Sequence, residues 1–207
     1  MSTSQAAVVG AGLMSFSPGL TADQQASVKL AALIAERDTR DALENKLIQD
    51  WYSYYKRKLM FYGWDALPAS EVHWPGRERP DIVDGALRTI SATAGSEYAT
   101  SMGLAMDRLR FERAALAHFE QRTRASGVFQ LLPCVAARNG CIDMVLYHES
   151  MERSQMTAGF LYRQRRQRTV KAELVRFNTR LFDQEFRQRV EANLQAVALR
   201  EIHDLVL

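Results

Sequence analysis

"VFQLLPCVAARNGCIDMVLYH", residues 128–148, is where the hydrophobic spacing of this chain changes from a helical period to a strand period. Asn139-Gly140 divides the stretch into two apolar runs. Both residues accept the positive φ of a two-residue hairpin turn, so the spacing predicts a β-hairpin. With Arg138 opposite Cys141, Ala137 faces Ile142 and Val135 faces Met144. Phe129, Leu131, Val135, Ala137, Ile142, Met144 and Leu146 then share one apolar face, while Gln130, Cys134, Arg138, Cys141 and Asp143 share the other. One side meets a core and the other is wet or lightly covered. The same register sets Cys134 opposite Val145, roughly 13 Å along the sheet from Cys141, beyond the reach of a disulfide.

A second hairpin is expected downstream. Met156, Ala158, Phe160 and Tyr162 alternate with Thr157, Gly159, Leu161 and Arg163, Val170, Ala172 and Leu174 alternate with Lys171, Glu173 and Val175, and "RQRRQR" (163–168) joins them. From Asp183 a last helix runs to 205, carrying Phe186, Val190, Leu194, Val197 and Leu205. Upstream, Thr21 with Gln24 forms a capping-box pattern, and helix signals continue to Gly63 with a weak point at 37–41. Leu43, Leu47, Trp51, Tyr55, Leu59 and Tyr62 recur every three or four residues, the mark of a core-facing stripe.

That stripe absorbs most of "WYSYYKRKLMFYGW" (51–64), which packs seven aromatic and three cationic side chains into one short stretch. Tyr54, Met60, Phe61 and Trp64 fall off the stripe and are assigned to an exposed interaction surface. Residues 64–80, with three prolines and a glycine, read as a loop pinned by tryptophans. Helices follow from Asp81 to Ala94 and from Ser96 to Ser126, the second stopped by Gly127. Residues 1–20 read as a small-residue arm ahead of a single domain, 21–207. The expected fold is α+β: N-terminal helices (21–126) packed on a four-stranded antiparallel sheet of two hairpins (128–180), with a C-terminal helix (183–205).

The bulk composition suits one globular unit: 207 residues, 47% hydrophobic and 25% charged. Charge is uneven, about −2 over residues 1–100 and +5 over 101–207, with eight basic residues against Glu173 alone in 153–180. No run of some 20 strongly apolar residues suggests a membrane-spanning helix. No basic region precedes the first apolar stretch, so cytoplasmic residence is the default, with export lacking a cleaved signal peptide as the alternative.

Reactive constellations are sparse. Gly10 and Gly12 in "AVVGAGLMS" (7–15) are spaced as in a dinucleotide-binding turn, but Ser15 stands where a third glycine belongs and Pro18-Gly19 interrupts the required helix. His73, His118, His148 and His203 show no metal-ligand spacing, and no pair of carboxylates is set for acid–base work. No catalytic, metal or cofactor site is therefore assigned. The one local signal for a ligand is the basic tip: Arg163, Arg165, Arg166, Arg168 and Lys171 suit an acidic protein surface, anionic lipid or nucleic acid. Three classes follow. The first is a non-enzymatic interaction or self-assembly protein, expected to be a homo-oligomer. The second is a membrane-active, toxin-type protein inserting an apolar hairpin or its N-terminal arm. The third is an enzyme whose site is assembled from distant residues.

Overall fold

A computed structural model of the chain describes residues 5–67, 82–152, 154, 169–194 and 200–207. Seven strands form one sheet in the order β3-β6-β5-β4-β2-β1-β7. They are β1 (Gln5–Val9), β2 (Gly12–Phe16), β3 (Trp64–Ala66), β4 (Val128–Ala136), β5 (Ile142–Ser150), β6 (Thr169–Phe177) and β7 (Ile202–Val206). All neighbours are antiparallel except β2 and β4, which run parallel.

Helices cover both faces of this sheet. α1 (Ala22–Glu44), α2 (Trp51–Phe61), α6 (Thr179–Glu185) and α7 (Arg187–Asn193) pack on one side, where Val28, Leu33, Tyr55, Phe182 and Val190 meet Met14, Leu132 and Met144. α3 (Ile82–Ala94), α4 (Ser96–Phe111) and α5 (Arg113–Ser126) pack on the other, where Ile90, Met102 and Phe119 meet Val8, Leu131 and Tyr147. The α+β class holds, but among the described residues the expected four-stranded antiparallel sheet is replaced by a seven-stranded mixed one between two helical layers, and the strand expected at 156–162 lies outside those residues.

Several expectations are corrected. The arm expected at 1–20 contains a buried hairpin, β1–β2, inside the sheet between β4 and β7. Ala7 and Val9 face one helical layer, and Ala6 and Val8 face the other. The single C-terminal helix is instead two short helices followed by β7, which forms a sheet edge. The helix expected over 96–126 breaks at Glu112. In the N-terminal half, α1 continues through 37–41 and stops at Glu44. The chain turns at Lys46 (φ 58°) and restarts at Asp50, leaving Leu47 exposed, not on the buried stripe.

The hairpin register is also displaced by one residue: Cys134 lies opposite Met144 and Ala136 opposite Ile142. The turn itself is as expected, with Asn139 and Gly140 both at positive φ. The Cys141 N–H donates to the Arg138 carbonyl, whereas its own carbonyl accepts from Ala137, not Arg138. Two residues thus oppose one, a bulge that shifts everything beyond it. Because both faces of β4 and β5 are covered, alternation along the strands carries little register information.

Local caps match their chemistry. Thr21 and Gln24 exchange side-chain and backbone hydrogen bonds at the start of α1. Thr21→Ala is expected to lower stability by about 1 kcal/mol, read from urea unfolding. No described helix is long and apolar enough to cross a membrane.

Candidate functional site

The break between α1 and α2 makes a corner beside the start of β4 and the end of β5. A cleft of about 400 Å³ opens there, lined by Asp50, Trp51, Ser126, His148, Ser150 and Glu152, among others. Asp50 is fixed as the cap of α2: its Oδ1 accepts from the backbone of Tyr52 and Ser53, and its Oδ2 accepts the Ser53 hydroxyl. Trp51 begins the helix and is 5% exposed. Its ring also walls a smaller cavity of about 80 Å³ shared with Glu36, Arg40 and Arg122.

A row of polar side chains crosses the sheet at this level. Gln130 of β4 lies opposite His148 of β5, which lies opposite Lys171 of β6. Tyr52 covers the last two, its ring 5.2 Å from that of His148 and 4.6 Å from Lys171 Nζ. The Tyr52 hydroxyl donates to Glu173 at 2.5 Å, and Lys56 pairs with the same carboxylate. Burial pulls Glu173 upward, but these two donors outweigh it and hold the carboxyl below its usual range. His148 is 3% exposed. Burial, with Lys171 adding to it, pushes its imidazole down to about 4, so the ring is neutral at pH 7. Trp51 Nε1, His148 Nδ1 and Gln130 Nε2 are buried without a hydrogen-bond partner.

Behind the cleft sits a charge cluster. Arg40 lies 3.2 Å from Glu36 and 3.3 Å from Glu201, and Arg122 lies 2.7 Å from Glu201. Glu36 is 2% exposed, and burial raises its carboxyl to about 7 against the opposing pull of Arg40. Gly10 turns above it at φ +56°; a Cβ there would be strained and would come within 2.8 Å of the Glu36 carboxyl carbon, displacing that side chain. The rings of His118 and His203 stand 4.5 Å apart nearby. The Gly10 turn is thus followed by strand β2, with no helix to carry a dinucleotide. Among the described residues no group of three or more His, Cys, Asp or Glu is gathered for a metal ion.

The residues assigned to an interaction surface separate. Met60 and Phe61 are 47% and 61% exposed. Tyr54 is half-buried under Arg57 and Lys58, whose charged groups lie 5.0 and 5.6 Å from its ring centre. Trp64 is corrected: it is wholly buried, stacked on Phe177 at 4.4 Å, because strand pairing with β6 turns its ring inward. Phe61 has other neighbours that spacing missed, chiefly Tyr62 and Phe186 at 5.1 and 5.4 Å. Of the basic tip, Arg163, Arg165, Arg166 and Arg168 lie outside the described residues. Lys171 is drawn toward Asp50, 3.6 Å away. The cleft had no sequence signal, since its walls come from separate segments around 43–51, 126–128 and 148–152.

No protein-family model matches this chain, and no curated protein does either. Among solved structures it is similar to one described as the structure of the Evf virulence factor, with 13% sequence identity and a TM-score of 0.32, over 94% of this chain and 82% of that one.

Proposed function

We propose that the chain is a non-enzymatic interaction protein that docks an acidic protein partner through the face built by the end of α2 with α6 and α7. The observation that carries this is the exposure of Met60, Phe61 and Leu181 on elements joined by the Phe61, Tyr62 and Phe186 rings. Cations lie on those rings: Lys58 Nζ is 6.0 Å from the Phe61 centre and the Arg189 guanidinium carbon is 5.6 Å from that of Phe186. Aromatic, Met and Arg side chains are the types enriched at the centre of protein interfaces. Lys58 is already paired with Asp38, so the preference for an acidic partner over a second copy of the same face rests on Arg57 and Arg189 at the rim. Arg163, Arg165, Arg166 and Arg168 are a second candidate contact for the same partner.

Peptide display against the intact protein tests the reading. Enriched peptides should combine Asp or Glu with an aromatic residue, and their affinity should fall about tenfold or more on Phe61→Ser. Selection of no peptide that senses Phe61 removes the proposal. Light scattering over a range of concentrations reads the homo-oligomer expectation, and vesicles of phosphatidylserine read the membrane-active one. Binding of those vesicles through Phe61 would replace the acidic protein by an anionic bilayer.

A further inference from the structure

We infer that the cleft between the α1–α2 corner and the β4–β5 strands is a binding site for a small, neutral, polyhydroxylated ligand of sugar or polyol chemistry. This goes beyond the docking face, which lies at the other end of α2. The cleft volume of about 400 Å³ falls within the range of roughly 300–1,000 Å³ typical of small-molecule sites.

The ligand class follows from which groups around the cleft are already matched. Most of its charges are paired within the fold, while the Glu152 carboxylate accepts the Ser154 hydroxyl. Lys171 faces Asp50, Lys56 and Tyr52 hold Glu173, and Arg40 with Arg122 neutralises Glu36 and Glu201. The unmatched groups are neutral ones: the Trp51 N–H, the His148 Nδ1 and, one strand further in, the Gln130 amide. All three side chains are at least nine-tenths buried. Buried donors and acceptors without partners are costly, and a native fold retains few of them without reason. Trp51 and His148 line the cleft together with the Ser150 side chain. An indole wall with one donor, a neutral imidazole and a hydroxyl form a mixed donor–acceptor set on a partly apolar surface. Hydroxyl groups both donate and accept, so a polyol can match every member of that set. An anion would meet Asp50 and Glu152, and a cation would meet Lys171 already seated against Asp50.

The test is calorimetric titration of the intact protein with glucose, N-acetylglucosamine, trehalose and myo-inositol, beside putrescine, acetate and phosphate as charged probes. At least one neutral probe should saturate in the micromolar to millimolar range, and its affinity should fall about tenfold in Trp51→Phe and in Ser150→Ala, each of which removes one hydrogen-bonding group. Glu152→Gln should leave that affinity within about twofold, since no charge is recognised. In the wild type the indole N–H resonance of Trp51, identified by its loss in Trp51→Phe, should move on titration even if a variant proves unstable. Saturation by putrescine, acetate or phosphate alone, absence of any saturable response, or sugar binding that ignores both Trp51→Phe and Ser150→Ala would overturn the assignment. A docking face that fails its peptide test leaves this result untouched, because Phe61→Ser does not alter the cleft.

Discussion

Trp64→Ala should lower the unfolding free energy by about 3–5 kcal/mol, the range for truncating a fully buried large aromatic. The Trp64 side chain is wholly covered and lies flat on Phe177, which in turn touches Phe182. Its loss opens a cavity beneath the sheet edge at the point where the Asn178 N–H reaches the Gly63 carbonyl. Phe61→Ser, three residues earlier, should change stability by no more than about 0.5 kcal/mol, as exposed positions generally do. Urea unfolding followed by far-ultraviolet circular dichroism compares the two without relying on the fluorophore being removed. A small effect at Trp64 together with a large one at Phe61 would reverse the assignment of buried and docking aromatics.

The second large effect is electrostatic. Glu36 titrates near 7 in the fold against an ordinary 4.5, so the folded state favours its protonated form. Its contribution to stability is therefore fully present below about pH 4.5 and is lost as pH rises through about 7, by roughly 3 kcal/mol in all. Burial of His118 works in the opposite direction: its imidazole is held near 4, so stability present above pH 6.5 is lost as pH falls toward 4. The wild-type profile carries both trends, and its difference from Glu36→Gln isolates the first. Arg37, Arg40, Arg122 and Glu201 are the charged groups that act on this carboxyl. Arg40→Met leaves Glu36 and Glu201 without their shared cation and should cost about 3–5 kcal/mol at pH 8. Part of that loss should be recovered near pH 5, where Glu36 takes up a proton. Chemical denaturation at several pH values measures both variants, and a pH-independent penalty for Arg40→Met would refute the coupling.

Local patterns in the chain made the helices legible because they carry their own end signals. The Thr21–Gln24 box and the Gly127 stop are written in neighbouring residues, and a stripe through Trp51, Tyr55 and Leu59 shows which face is buried, whereas the break after Glu44 and the restart at the Asp50 cap went unread. The N-terminal hairpin was not legible, since Gln5–Phe16 is apolar on both faces and shows no alternation to distinguish strand from arm. Its pairing with β4 and β7 depends on residues far along the sequence. Trp64 misled for a related reason: helical spacing ends at Gly63, and the next residue belongs to a strand with a different inward direction. The cleft was invisible because one wall is a helix start and the other a strand end about a hundred residues away. A constellation of neutral hydrogen-bonding groups also has no distinctive residue spacing.

The pairing of β1 with β7 joins positions near 5 and 205, so β1 waits for a partner strand about 200 residues further along to close its edge. Contacts of such separation slow the search for the native state and expose half-built edges meanwhile. On the ribosome, the β1–β2 hairpin would remain incompletely covered until the segment around 202–206 has been made. Until then that edge is one for chaperones to shield during biogenesis.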